Sequence, residues 1–99
     1  MSKNIKNKFT DQLFEAILKL DDKEECYNFF EDIATIAEIK ALGQRLEVAK
    51  MLKQGITYEE IVEKTGVSTA TISRVKRALD YGEDGYNLVL DKMNIDEME

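Results

Sequence analysis

The sequence predicts an all-α fold of about six helices with a helix-turn-helix, and three observations predict it. The 99 residues contain no proline, and Leu, Ile, Glu, Lys and Ala dominate, a mixture that favours helix over strand. Apolar residues recur at three- and four-residue intervals along most of the chain. Capping signatures stand ahead of several of those runs, as Asp22 with Glu25, Thr35 with Glu38 and Thr57 with Glu60.

Residues 1–8 hold three lysines and little apolar content and read as a flexible basic arm. A single helical domain is expected over 9–95, followed by an acidic tail at 96–99. The first helix is carried by Phe9, Leu13, Ile17 and Leu20, with Thr10 or Asp11 near its start. Asp22 opens the second, through Cys26, Phe29, Phe30 and Ile33. Thr35 opens a longer third helix through Ile39, Leu42, Leu46, Ala49 and Leu52, with Gly55 placed to end it.

Residues 57–81 are the helix-turn-helix. Thr57 heads a short helix with Ile61 and Val62 turned inward, and Thr65-Gly66-Val67 forms the turn. Ser68 caps the next helix, whose Ile72, Val75 and Leu79 share one face. Gly82 and Gly85 mark a break before a final helix with Tyr86, Leu88, Val89, Leu90 and Met93.

Composition excludes several functions. Cys26 is the single cysteine and histidine is absent, so no internal disulfide, zinc cluster or His-based acid–base catalysis is available. Cys26, beside Tyr27 and Phe29, reads as a buried structural thiol. No nucleophile–base pair or phosphate-cradling loop can be assembled, so neither an enzyme nor a cofactor is expected. A signal peptide and a bilayer-length apolar run are also missing, which leads to the expectation of a cytoplasmic protein.

The formal charge of −6 is unevenly spread. Residues 1–79 balance thirteen cations with thirteen acids, whereas residues 80–99 hold seven acids against Lys92 alone. Residues 64–79 carry Lys64, Arg74, Lys76 and Arg77 and no acid. A DNA surface responds to that local field rather than to the total.

The second helix of the motif suits a major groove, which admits a helix with short side chains at its leading turns and cations toward phosphate. Ser68 is expected chiefly as the cap, while Thr69, Ala70 and Ser73 are small enough to reach base edges. Ala70 could meet a thymine methyl, and Thr71 could contact DNA or pack the turn. Arg74, Lys76 and Arg77 are candidates to neutralise phosphate. The phenylalanines and leucines of the first two helices exceed what a small bundle covers comfortably. A second copy would bury them; an efficient monomer core is the other reading.

Residues 33–79 resemble the Trp-repressor superfamily, and within it the YerC/YecD-type, TrpR-related branch. The likeness rests on T-I-A-E-I-K-A-L-G-Q-R at 35–45, on Gly55-Ile56-Thr57, and on A-T-I-S-R at 70–74. It covers about half the chain and implies a Trp-repressor-like, intertwined homodimer that binds operator DNA through two recognition helices. In the tryptophan-binding members two arginines sandwich the indole; Arg45 and Arg74 match them, and Thr35 matches a threonine lining that pocket. Read without the resemblance, both arginines would pair with carboxylates such as Glu47 or contact phosphate.

Three departures from that pattern carry weight. Val75 stands where the tryptophan-responsive repressor has glycine, and Ala78 where it has a serine that helps hold the amino acid. A branched side chain in the indole's place stabilises the packed helix without a ligand, at about 0.8 kcal/mol per buried carbon. The first helix of the motif carries Glu59, Glu60 and Glu63 where the tryptophan repressor has basic residues. The functional expectation is a homodimeric, sequence-specific, repressor-like DNA-binding regulator of transcription that is not tryptophan-responsive; the residues leave any other effector open. The alternative is a helix-turn-helix-derived protein-interaction module without DNA binding.

Overall fold

The computed structural model describes residues 5–94. The acidic tail and the first half of the expected basic arm lie outside them. Among the described residues there are six helices and no strand: α1 (Lys8–Ile17), α2 (Lys23–Ile33), α3 (Ile36–Lys53), α4 (Tyr58–Thr65), α5 (Thr69–Tyr81) and α6 (Gly85–Lys92). The chain divides into two compact units, one up to Ile39 and one from Lys40, and α3 runs across the division.

The first unit contains α1, α2 and the start of α3. Helix α1 begins earlier than the sequence predicts, because Asn7 is its cap: Oδ1 accepts from Phe9 N at 2.8 Å and from Thr10 N at 2.9 Å. Thr10 Oγ1 accepts from Asn7 N at 2.9 Å, which completes a capping box within the segment read as an arm. Helix α2 starts at the predicted cap, with Asp22 Oδ1 accepting from Glu25 N at 2.9 Å. Glu25 reaches back one residue further than its signature implies, to Asp21 N at 2.9 Å. No residue of α1 or α2 is fully buried in the chain. Phe29 and Phe30 meet edge to face at 5.6 Å, yet Phe9 is 72% and Leu18 82% exposed. Cys26 is exposed as well, contrary to the buried thiol expected from its apolar neighbours.

The second unit holds the buried core. Val48, Ala49 and Met51 of α3, Ile61 of α4, Val67 of the turn, Ile72 and Val75 of α5 and Leu90 of α6 form one cluster. Leu46, Leu52, Ile56, Leu79 and Tyr86 pack against it. The C-terminal end of α3 shows how the sequence sets this geometry. Gly55 takes φ +81°, Gly55 N donates to Leu52 O at 3.1 Å, and Ile56 N donates to Met51 O at 3.0 Å. That is the Schellman pattern, and it turns Ile56 back onto the core before α4 begins.

Candidate nucleic-acid interface

The helix-turn-helix is built from local bonds that the sequence specifies. Thr57 caps α4, its Oγ1 accepting from Glu60 N at 3.2 Å. Only half of the expected box forms there, because Glu60 meets the Thr57 hydroxyl at 3.5 Å instead of the backbone N–H. Gly66 ends α4 at φ +78°, with its N–H on Val62 O at 2.8 Å, a left-handed position suited to glycine. Thr65 reinforces the turn: its Oγ1 donates to Ile61 O at 2.6 Å and accepts from Val67 N at 3.2 Å. Val67 is thereby delivered to the core.

Helix α5 starts at Ser68, whose Oγ accepts from Thr71 N at 3.2 Å and lies 3.2 Å from Thr71 Oγ1. The Ser68 and Thr71 hydroxyls are thus engaged with one another, and Thr71 is half-buried. Along the rest of the helix the faces separate cleanly. Ile72 and Val75 are 0% and 1% exposed, while Thr69, Ala70, Ser73, Arg74, Lys76 and Arg77 are all exposed. Short hydroxyls and a methyl therefore project from the leading turns, with cations behind them.

The cations differ in their engagement. Lys76 Nζ is 3.1 Å from Asp80 Oδ2 one turn on, an exposed pair of the kind worth about 0.3–0.5 kcal/mol. Neither Arg74 nor Arg77 has an ion pair among the described residues. Glu47, the carboxylate named as a partner for the arginines, is instead 3.2 Å from Lys50. On α4, Glu59, Glu60 and Glu63 are all exposed.

The residues assigned to an effector pocket fall in both units. Thr35 is the cap of α3, accepting from Glu38 N at 3.1 Å while its own N–H donates to Glu38 Oε1 at 2.9 Å. Arg45 is half-buried on α3 and Arg74 is exposed on α5. Val75 is enclosed in the core beside Ile72. Asn87 of α6, which sequence reasoning passed over, is half-buried and bonded to the last turn of α5. Its one sequence signal is the Asp84–Asn87 spacing across the first turn of a helix. Among the described residues no group of His, Cys, Asp and Glu is arranged to hold a metal ion, and no helix is long and apolar enough to cross a membrane.

An all-helical chain whose second unit packs a helix-turn-helix on the C-terminal half of α3 is consistent with a DNA-binding regulator, and comparison with known proteins narrows it to a family. Residues 8–94 match the family described as Trp repressor protein, and the chain belongs to that family. It is 57% identical over 95 residues to the uncharacterized protein YerC of Bacillus subtilis (strain 168), covering 96% of this chain and 91% of that one. The crystal structure of a proposed Trp repressor from Staphylococcus aureus is similar, with a TM-score of 0.92 at 54% identity over 96% of this chain and 95% of that one. A TrpR-like protein from Eubacterium eligens ATCC 27750 has a TM-score of 0.89 at 56% identity, over 92% and 94% of the two chains.

Proposed function

We propose that this protein is a homodimeric, sequence-specific DNA-binding regulator of transcription, repressor-like in its action, that works inside the cell through the α4–α5 helix-turn-helix and needs no tryptophan. The carrying observation is the division of α5 into two faces. Ile72 and Val75 hold it to the core, while Thr69, Ala70, Ser73, Arg74 and Arg77 stand free of it. In this reading Thr69, Ala70 and Ser73 approach base edges, and Arg74, Lys76 and Arg77 neutralise phosphate. Ser68 and Thr71 spend their hydroxyls on the cap and contribute the position of the helix. Water between such short side chains and the bases would carry part of the recognition. The protein binds and does not catalyse.

Independence from tryptophan rests on Val75. Its side chain fills the core side of α5 at 1% exposure, so the helix is held without a ligand. Arg45, Arg74 and Thr35 then serve the fold and the DNA surface. The homodimer rests on the first unit, where Phe9, Phe14, Leu18 and Tyr27 remain exposed in the single chain. Large apolar side chains left exposed in this way are suited to burial against a second copy.

A protein-interaction module is the second reading, favoured by the three exposed glutamates of α4 and by the Lys76–Asp80 pair. Selection of duplexes from a random-sequence pool separates the two. The regulator enriches a two-fold-related motif, whereas the module enriches nothing.

A further inference from the structure

One side chain of α6 bonds to the last turn of α5. A helix leaves its final four carbonyls without intrahelical partners. In α5 the carbonyl of Ala78 is satisfied by Gly82 N at 2.9 Å, and that of Leu79 by Asn87 Nδ2 at 3.3 Å. The second hydrogen of the same amide points to Asp84 Oδ1 at 3.2 Å. Asp84 is the N-cap residue of α6, but its side chain caps none of that helix's backbone; it orients Asn87 instead. Its backbone sits at φ 64°, a left-handed position that is costly for a residue with a Cβ.

The segment between the helices is tight. A Cβ on Gly82 would come 2.5 Å from Ala78 O, so the chain leaves α5 along the one path a bare backbone allows. Helix α6 is itself anchored: Leu90 is 2% exposed in the core, and Asp91 meets Lys53 of α3 at 3.4 Å. Asn87 thus ties the end of α5 to a helix already tied to α3. Ser68, Ile72 and Val75 fix the leading half of α5, and Lys76 and Arg77 lie just ahead of the carbonyl that Asn87 holds.

We propose that Asn87 is a positioning residue for the recognition helix: through its bond to Leu79 O and its orientation by Asp84, it sets the direction of α5 and so the placement of Lys76 and Arg77 on phosphate. The inference rests on the DNA-binding reading. Two recognition helices held rigidly demand one half-site separation, because they sit a fixed helical distance apart. A loosened α5 end accepts neighbouring separations and binds the preferred one less tightly.

The test uses the full chain and duplexes enriched by the wild type from a random-sequence pool, remade with one or two base pairs added or removed at the centre of the motif. Asn87→Ala is expected to lose about tenfold in affinity on the enriched duplex and to flatten the dependence on spacing. Asp84→Gly removes the orienting carboxylate while relieving the backbone, so it should melt no lower than the wild type and still flatten the spacing profile. That combination distinguishes positioning from a general loss of stability, and Asp84→Gly decides alone if Asn87→Ala does not fold. A spacing profile as sharp as the wild type's in the folded variants overturns the proposal. If the wild type enriches no duplex, the DNA-binding reading fails by itself. The clamp is then read from amide hydrogen exchange at Gly82, where faster exchange in both variants supports it and unchanged exchange overturns it.

Discussion

Val75 is the residue on which the regulatory account turns. It sits in the core at 1% exposure with Ile72 against it, and its methyls occupy space that a smaller residue would leave empty. Val75→Ala removes two buried carbons and leaves a cavity, for a loss of about 2 kcal/mol in chemical denaturation. Tryptophan added to the wild type should leave its thermal midpoint unmoved, because a ligand without a site stabilises nothing; a clear rise would reopen the pocket argument. Arg74 makes the opposite kind of contribution, since no carboxylate among the described residues holds it. Arg74→Ala should leave the melting midpoint nearly unchanged, weaken duplex binding, and lower the salt slope by about 1. Both placements were legible in the sequence, because helical spacing alone puts positions 72, 75 and 79 on one face and 74 and 77 on another. Cys26 was not: apolar neighbours along a chain do not say which face a thiol occupies.

At the scale of the element, stability is concentrated in the caps and turns around α4 and α5. Gly66 holds φ +78°, so Gly66→Ala should cost about 1 kcal/mol or more, measured by denaturant unfolding. Ser68→Ala removes the acceptor for Thr71 N and should cost about 1 kcal/mol in the same measurement. Such features are local, and the sequence displayed most of them. Thr35 and Glu38 form the full reciprocal pair that their spacing predicts. Thr57 with Glu60, and Asp22 with Glu25, form half of theirs, because a glutamate side chain has other donors within reach. Asn7 escaped notice because the lysines around it dominate the reading of that segment. The Asp84–Asn87 pair has a local spacing, but the bond from Asn87 to Leu79 was illegible for a deeper reason: it depends on how α6 returns to α5, which no local pattern encodes.

At the scale of the whole molecule, the two units differ in kind. The second closes a core of its own, whereas α1 and α2 contribute no fully buried residue to the single chain. A second copy covering α1 and α2 would account for both facts. Sedimentation should give about twice the chain mass of 11.4 kDa, and the thermal midpoint should rise with protein concentration. Leu18→Glu, a charge placed on a side chain that is 82% exposed in the monomer, should shift the population toward monomer and weaken duplex binding with it. A midpoint independent of concentration would instead support a monomer. The total charge of −6 does not oppose DNA binding, because the net negative charge lies in residues 80–99 while 64–79 contain no acid.

The most direct measurement is the affinity of the wild type for its enriched duplex across a range of salt concentrations. Lysine and arginine contacts to phosphate on both subunits should make the logarithm of affinity fall steeply and linearly with the logarithm of salt. Absence of duplex binding at low salt, or an affinity indifferent to salt, would contradict the assignment of α5 as a DNA-reading helix.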